Sequence, residues 1–222
     1  MTVVTDAERR PAQRRDAQRN RQRILDAARE VFGEQGLGAP LVEITRRAGV
    51  GDGTFYRHFP SRTDLHTALY DEARESIGRV GEQALLIEDG WLALTRYFEN
   101  ACEFTAANRA IGELMAVMMS DPAAREAQWE HGNKVMGELL ERAQRQGLVH
   151  REVALGDVLS ALNAVLVLIP ASEGVAPEMW RRQLAFTLNG FRPHDGLTVP
   201  PTPPVTTAQH LEIVTRLFLR RQ

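Results

Sequence analysis

Two groups of polar side chains near the N-terminus have residue types suited to binding nucleic acid. Between residues 7 and 23, seven arginines stand against only Glu8 and Asp16, a local charge of seven minus two, or +5. Positive charge concentrated in this way attracts phosphates. The second group lies in the segment GDGTFYRHF at 51–59, which places acidic, hydroxyl, imidazole and guanidinium side chains within two turns of a possible helix.

The net charge of the whole chain conceals this basic end. The 222 residues contain 27 basic and 29 acidic side chains, for a net charge of −2. Residues 1–60 contain 11 arginines and eight acidic residues and sum to +3, so the remaining 162 residues sum to −5. The near-neutral average therefore does not exclude a nucleic-acid partner, because the positive charge is confined to one end.

The elements that must position these groups are predicted to be helices. Apolar residues at three- and four-residue spacing predict a helix over about 15–35, which Gly36 ends. Residues 41–48 predict a short second helix, and 49–51 a glycine turn. GTFYRHF then has room for about two helical turns before Pro60, and Ser61 is a suitable N-cap for a helix from 62 to roughly 86.

Two short helices joined by a glycine-containing turn form a helix-turn-helix unit, which we place within residues 24–59. In such a unit the second helix enters the major groove of DNA while the first braces it. The angle between the helices would be set by the apolar residues, while the polar residues of the second helix would face outwards. The apolar set is Ile44, Ala48, Val50 and Phe55, and the polar set is Asp52, Thr54, Tyr56 and Arg57.

The stretch VEITRRAGVGDGTFYRHFPSRTDL at 42–65 resembles the DNA-binding domain of the TetR family of bacterial transcriptional regulators. Three positions depart from the family pattern: Thr45 replaces a common Ala, Pro40 a capping Ser or Thr, and Gly51-Asp52 a Ser-Lys or Ser-Pro pair. The matching positions are Ile44, Ala48, Gly49, Val50, Gly53, Thr54, Tyr56, His58, Phe59, Arg62 and Leu65.

The resemblance implies specific roles in DNA binding. Phosphate contacts would come from Thr54, Tyr56, His58 and Arg62, and Gly53 would let the backbone approach DNA closely. Base edges would be read by Asp52, Thr54 and Arg57, with the Asp52 carboxylate able to accept a hydrogen bond from a cytosine amino group. The basic arm would follow the backbone or enter a minor groove. Alternatively, Tyr56 and His58 pack at the edge of the core, and Arg57 is a solvated surface residue.

The rest of the chain is also predicted to be helical, which makes the fold all-α. Helical periodicity covers 91–107, 109–119, 122–147, 156–171, 177–191 and 207–221, and five prolines mark 192–206 as a linker. We predict a flexible basic arm at 1–20, a three-helix DNA-binding domain at 21–66, a ligand-binding and dimerisation domain at 67–191, and an extension of undetermined role at 192–222.

No apolar run reaches the roughly 18 residues that span a bilayer, and the N-terminus lacks the apolar part of a secretory signal, so we expect a cytosolic protein without a membrane partner.

The second domain supplies candidate residues for a ligand pocket and a dimer interface. Aromatic and methionine side chains suit a pocket for varied apolar molecules, although such stripes also form ordinary cores. The candidate pocket residues are Trp91, Phe98, Cys102, Glu103, Met115, Met118, Met119, Trp129, His131, Met136 and Asn163. The family resemblance implies that two helices near the C-terminus pair with the same helices of a second chain. Alternatively, these helices are buried within one chain. The candidate interface residues are Leu159, Leu162, Val165, Leu166, Trp180, Leu184 and Leu188.

Catalytic and metal-binding arrangements are absent from the sequence. The six histidines form no His-Glu-x-x-His motif, and there is no Gly-x-Ser-x-Gly or phosphate-binding loop. The single cysteine, Cys102, excludes an internal disulfide framework and a four-cysteine zinc site. We therefore expect no enzyme, catalytic residue, metal or cofactor.

The resemblance implies a homodimeric repressor that binds a near-palindromic double-stranded DNA operator and is released from it by a small, largely apolar effector. The alternative is a ligand-binding or interaction protein whose DNA-binding domain is inactive.

Overall fold

In a computed structural model of the chain, residues 6–108, 110, 114, 122–194 and 202–219 are described, with side chains from residue 15 onward except at 122–129, 131 and 217–219. Within these residues every regular element is a helix, which confirms the all-α prediction. The helices are α1 (Asp6–Gln35), α2 (Leu41–Ala48), α3 (Asp52–His58), α4 (Arg62–Leu85), α5 (Gly90–Ala107), α6 (Pro122–Arg145), α7 (Leu155–Ser172), α8 (Met179–Phe191) and α9 (Thr207–Leu219).

The predicted helix bounds agree with these to within a few residues, with one larger difference at the N-terminus. Helix α1 begins at Asp6, so the backbone of most of the predicted flexible arm is helical. The physical reason is composition, because this segment is rich in Ala, Arg and Gln, which have high helix propensity. The helix predicted at 109–119 lies outside the described residues.

The chain divides into two compact units, Met1–Asp71 and Glu72–Gln222, which we call the N-terminal and C-terminal units. The division falls five residues after the predicted domain boundary at 66. Helix α4 begins in the N-terminal unit and continues into the C-terminal unit. The first turns of α4 therefore belong to the DNA-binding part predicted from the sequence, and the remaining turns to the ligand-binding part.

A shared apolar core holds the first four helices of the N-terminal unit together. Its fully buried side chains come from α1, α2, α3, the turn after α3 and α4; they include Ile24, Leu25, Phe32, Ile44, Phe55, Phe59 and Leu65. The start of α4 is capped as the sequence predicts, since the Ser61 backbone N–H donates to Asp64 Oδ2 at 2.9 Å and the Asp64 N–H donates to Ser61 Oγ at 3.2 Å.

A second apolar core fills the C-terminal unit and is built mainly from α5 to α8. Helix α7 is the one described helix that is long and apolar enough to cross a membrane by length and composition alone. Its Val158 and Val165 side chains are fully buried in this core, and a core helix of a soluble protein passes the same test. Its sequence also includes Asp157, Ser160 and Asn163, which is why it does not read as an uninterrupted apolar run.

The C-terminal extension packs on α7 through helix α9. His210 is buried, and its ring lies between Ser160 Oγ at 3.0 Å and Asn163 Nδ2 at 2.9 Å. Gly156 allows the extension to approach closely, because a Cβ there would lie 2.0 Å from the Val205 carbonyl oxygen. The extension, whose role the sequence leaves undetermined, therefore covers one side of α7.

Replacing Gly90 by alanine is expected to lower the free energy of unfolding by about 1–3 kcal/mol. A Cβ at this position would lie 2.6 Å from the backbone N and Cα of Ala143, so α5 and α6 would have to separate. Urea unfolding followed by circular dichroism measures the loss. The matched control is Gly190→Ala in α8, where a Cβ meets nothing within 4 Å and a neutral or slightly stabilising effect is expected. Equal stability of the two variants would contradict the prediction.

Candidate nucleic-acid interface

The turn between α2 and α3 depends on a glycine. Gly49 ends α2 in the left-handed conformation at φ 63° and donates its N–H to the Arg46 carbonyl. Val50 then donates to the Thr45 carbonyl at 3.1 Å, which closes the helix end. A Cβ at Gly49 would lie 2.7 Å from Arg23 Nη2, the end of a flexible side chain that can move, so it is the left-handed backbone that favours glycine here.

Helix α3 is anchored on one side and exposed on the other. Phe55 is fully buried and packs against Phe59, with ring centroids 6.0 Å apart. On the opposite side Asp52 and Arg57 are exposed, and 53% of Tyr56 is exposed although the residue is aromatic. This arrangement agrees with the prediction that the polar face of this helix points outwards.

The remaining predicted contact residues of this segment lie beside that face. Gly53 is exposed, and a Cβ there would meet nothing within 4 Å, so the backbone is open to an approaching molecule. Thr54 and His58 are half-buried at the edge of the helix. The structure thus brings six of the seven predicted DNA-binding residues together on one short helix.

Two departures from the family pattern contact each other across the turn. The buried Thr45 hydroxyl lies 3.2 Å from Asp52 Oδ1 and 3.1 Å from the Val42 carbonyl oxygen, and it can donate to either. The contact ties the Asp52 carboxylate, at the tip of α3, to the helix that braces it. In the sequence, Thr45 and Asp52 are two separate departures from the family pattern. Their spacing of seven residues across a turn is the signal that could have predicted a contact between them.

Arg62, predicted to contact phosphate, is bound to the protein backbone. Its Nη1 donates to the Leu37 carbonyl at 2.6 Å and its Nη2 to the Ala39 carbonyl at 2.8 Å. These bonds hold the loop between α1 and α2 against the start of α4. Arg62 therefore helps to position the unit, and its contact with phosphate stays a prediction.

Helix α1 brings further arginines to the same region. Arg23 Nη2 lies 3.5 Å from the Gly49 carbonyl oxygen, and the Arg21 guanidinium lies 5.4 Å from the centre of the Phe59 ring. Both side chains are exposed, as are Arg19 and Arg15, which lie about one and two turns before Arg23. Because Arg21 lies over Phe59 and Arg23 reaches the turn after α2, these two arginines are positioned with the unit.

Other charged side chains of the unit are engaged within it. Arg47 binds Glu34 with both ends of its guanidinium, at 2.6 and 2.9 Å, and this hydrogen bond lowers the pKa of Glu34. His66 is buried against Phe32, and burial, together with the charge of Arg62, lowers its pKa. Arg47 and His66 therefore stabilise the unit rather than forming part of its exposed basic surface.

The predicted pocket residues whose side chains are described lie in different surroundings. Phe98, Cys102 and Met136 are buried in the core of the C-terminal unit. Trp91 stacks against Arg192 at 4.2 Å, and Glu103 pairs with Arg181 at 3.1 Å. Asn163 is engaged with His210 and donates to the Leu159 carbonyl. Met115, Met118 and Met119 lie outside the described residues, as do the side chains of Trp129 and His131.

A cavity of about 340 Å³ does exist in the C-terminal unit, between α4, α5 and α6. None of the predicted pocket residues whose side chains are described lines it. Its walls include glycines and a tyrosine that reasoning from aromatic and methionine stripes did not single out. Gly78 and Gly81, three residues apart on α4, together with Gly132 on α6, are the signal that could have pointed to it.

The buried Cys102 thiol is expected to be unreactive in the folded protein. Burial, with the nearby Glu103 charge as a smaller cause, raises the pKa of this thiol to about 12. Because the thiolate is the nucleophile, almost none is present at pH 8. Incubation with Ellman's reagent should release chromophore only after denaturant is added. Rapid reaction of the native protein would contradict the burial of Cys102.

The predicted dimer residues are mostly covered within one chain. Six of the seven are buried in the protomer core, and only Leu166 is half-buried. Six of these apolar side chains therefore cannot provide a free face, because the inner surfaces of α7 and α8 pack on α5 and on each other. The buried six are Leu159, Leu162, Val165, Trp180, Leu184 and Leu188.

Within the described residues, no three His, Cys, Asp or Glu side chains are grouped as a metal site would require. The strongest grouping of functional side chains is the exposed face of α3 with the α1 arginines beside it. Its parts are a braced short helix, an open glycine and exposed polar side chains. This combination suits the binding of a groove and its phosphates.

Comparisons with known proteins agree with this geometry. Residues 24–69 match the bacterial regulatory proteins of the tetR family, and residues 91–193 match the SbtR-like C-terminal domain of transcriptional regulators. The HTH-type transcriptional regulator AcrR of Shigella flexneri is 37% identical over 68 residues, which make up 30% of this chain and 32% of AcrR. The chain thus spans about a third of the length of the curated relatives it matches.

Solved structures extend the similarity over most of the chain. A TetR transcription regulatory protein from Mycobacterium vanbaalenii is 31% identical, with a TM-score of 0.58, over 82% of this chain and 99% of that protein. A TetR transcriptional regulator from Streptomyces coelicolor is 27% identical, with a TM-score of 0.61, over 78% of this chain and 98% of its own. The chain therefore belongs to the tetR family of bacterial regulatory proteins, which are non-enzymatic DNA-binding transcription factors.

Proposed function

We propose that this protein is a homodimeric, cytoplasmic repressor that binds a near-palindromic operator and is released from it by a small, largely apolar effector. The observation that carries the proposal is the two-sided character of α3. Phe55 fixes the helix from inside, while Asp52, Tyr56 and Arg57 point outwards with few partners in the protein. A helix held rigidly with an exposed polar face is what insertion into a major groove requires.

Each group at this face has a distinct part in the proposed complex. Tyr56 and His58 bind phosphate oxygens, and Gly53 lets the α3 backbone come close to the strand. Arg57 and Asp52 face base edges, with Thr54 between them. The exposed α1 arginines, Arg15, Arg19, Arg21 and Arg23, add sequence-independent attraction to the phosphate backbone.

Dimerisation is proposed through the outer surfaces of α7 and α8. On α8, 61% of Phe186 and 42% of Met179 are exposed, although both are large apolar side chains. Arg182 lies 4.9 Å over the Phe186 ring, and Leu166 of α7 is half-buried. A symmetric pairing of these helices would cover the apolar rings and would present two copies of α3 about one DNA turn, roughly 34 Å, apart.

Release by an effector is proposed to act through α4, which belongs to both units. An effector shifts the equilibrium only if it binds more tightly to a conformation with low DNA affinity. A molecule bound against α4 in the C-terminal unit contacts the same helix whose first turns carry Arg62. A small change in that helix can therefore alter the spacing of the two copies of α3.

Fluorescence anisotropy with a labelled fragment of the protein's own promoter tests the proposal. Wild-type protein should prefer this fragment to random DNA of equal length, and its affinity should fall steeply between about 50 and 200 mM salt. Arg57→Ala should reduce the preference, whereas Arg145→Ala, an exposed arginine of α6, should leave it unchanged. Binding without preference and without salt dependence would instead support the alternative, a ligand-binding protein with an inactive DNA-binding unit.

A further inference from the structure

The C-terminal extension is attached to α7 through a small set of buried side chains. Among its side chains described at 202–216, only His210 and Val214 are buried, with 2% and 4% of their surfaces exposed. Thr215 Oγ1 is also buried and has no hydrogen-bond partner in the described part of the chain, which is unfavourable. Because the buried apolar contact is small, the hydrogen bonds of His210 provide a large part of the attachment.

These hydrogen bonds determine which ring nitrogen of His210 carries the proton. Asn163 Nδ2 donates to the Leu159 carbonyl at 3.0 Å, and because a carbonyl can only accept, this atom must be the amide nitrogen. The same Nδ2 lies 2.9 Å from His210 Nε2, so Nε2 accepts and carries no proton. The proton is therefore on Nδ1, which donates to the Ser160 hydroxyl oxygen at 3.0 Å. The extension is held by a neutral imidazole in one tautomer.

A second proton on His210 is incompatible with this arrangement. An imidazolium has two N–H donors and no acceptor, so its Nε2–H would point at the Asn163 amide, which is also a donor. The charge would be buried as well, and burial lowers the pKa of His210 below its usual value. The attached extension therefore takes up a proton less readily than a detached extension whose imidazole is in water.

The charged side chains of the two packed helices have partners of their own. Helix α7 has one ionisable side chain, Asp157, whose Oδ2 accepts from the Ala154 N–H at 2.9 Å. On α9, Glu212 pairs with Arg216, and both are exposed. The segment TPPVT that leads directly into α9 has no ionisable side chain. The carboxylates of these elements are thus engaged elsewhere, in keeping with burial as the cause of the lowered pKa of His210.

We infer that the C-terminal extension is a pH-operated strap that lies on α7 while His210 is neutral and detaches when His210 takes up a second proton. The inference goes beyond the proposed function and depends neither on DNA binding nor on an effector. Detachment uncovers the flank of α7 that carries Gly156, Ser160 and Asn163. Acid therefore exposes a surface of the C-terminal unit that is covered at neutral pH.

Hydrogen exchange of the α9 amides in the full-length protein, read by mass spectrometry and corrected for the intrinsic effect of pH, measures the attachment. A detached imidazole titrates at about pH 6.5, and the attached form binds fewer protons. Attachment is therefore fully present above that pH and is lost as the pH falls below it. If the attached form takes up no proton, protection of α9 should fall about 30-fold between pH 7.5 and pH 5. Peptides of α8, which the apolar core holds, are the internal reference and should keep their protection.

Two variants test the assignment to His210. His210→Gln removes the titration and retains an oxygen that can accept from Asn163, so α9 should be less protected at pH 7.5 but equally protected at pH 5. Asn163→Asp should reverse the behaviour, because a carboxylate accepts from Nε2–H and stabilises the charged ring, so attachment should persist at pH 5. The matched control, His194→Gln, makes the same change at an exposed position and should keep the wild-type pH dependence.

Constant protection of wild-type α9 between pH 7.5 and pH 5 would overturn the inference. A fall in protection that persists in His210→Gln would also overturn it, because another group would then respond to pH. If His210→Gln leaves α9 unprotected at every pH, the Asn163→Asp variant decides. Protection of α9 at pH 5 in that variant supports the assignment, and any other result overturns it.

Discussion

Replacement of Arg62 by alanine is expected to lower the free energy of unfolding of the N-terminal unit by about 2–4 kcal/mol and to abolish specific DNA binding with it. The substitution leaves the Leu37 and Ala39 carbonyls without the guanidinium that now binds both at 2.6 and 2.8 Å. These carbonyls lie in the loop that joins α1 to α2. Loss of the guanidinium therefore loosens the attachment of the bracing helix, and α3 loses its fixed position.

Thermal unfolding and promoter binding of the same variants measure this effect. Arg62→Lys should recover little stability, because an ammonium group cannot reproduce the two-pronged geometry. Arg57→Ala should also reduce DNA binding but should leave stability unchanged, because Arg57 is exposed. If Arg62→Ala lost DNA affinity at full stability, Arg62 would be a phosphate contact after all, as the family resemblance implies.

Replacement of Asp52 by alanine is expected to remove about 1–3 kcal/mol of binding free energy that discriminates between bases at one operator position. It should also raise affinity for random DNA, because a negative charge at the tip of α3 is removed. Thr45→Val should reproduce part of the change in base preference, since it removes the hydroxyl that lies 3.2 Å from the Asp52 carboxylate. The two departures from the family pattern would then act as one specificity element.

Binding selection from a randomised operator library, sequenced for each variant, measures that preference. Asp71→Asn, which removes an exposed carboxylate of the same unit, is the control for net charge and should leave the selected sequence unchanged. If Asp52→Ala and Asp71→Asn select the same operator as the wild type, Asp52 does not read a base. If Thr45→Val has no effect while Asp52→Ala does, the carboxylate is oriented without the threonine.

Much of the fold could be predicted from local signals. The bounds of α2 agree with the prediction because its limits are set by neighbours in sequence, Pro40 before the first turn and Gly49 in the left-handed conformation after the last. The start of α4 agrees because Ser61 and Asp64 cap it through bonds three residues apart. The extended start of α1 was missed because arginine-rich sequences suggest a solvated arm as readily as a helix.

The candidate site was predicted less completely, since distant contacts decide its details. The outward face of α3 follows from periodicity around one buried residue, Phe55. The partners of Arg62 lie more than 20 residues earlier, and no local pattern names a backbone carbonyl as a partner. The predicted pocket stays a prediction for a related reason, because apolar stripes show which face of a helix is buried but not where the packing leaves space.

By itself the sequence determined an all-helical chain with a basic N-terminal end, a helix-turn-helix and its outward polar face, because these depend on charge, periodicity and capping over a few residues. The tertiary structure decided which apolar residues are core and which stay exposed. It also decided that a cavity lined by glycines opens between α4, α5 and α6. These features depend on how helices distant in sequence pack, and volume and hydrogen-bond partners exist only once that packing has formed.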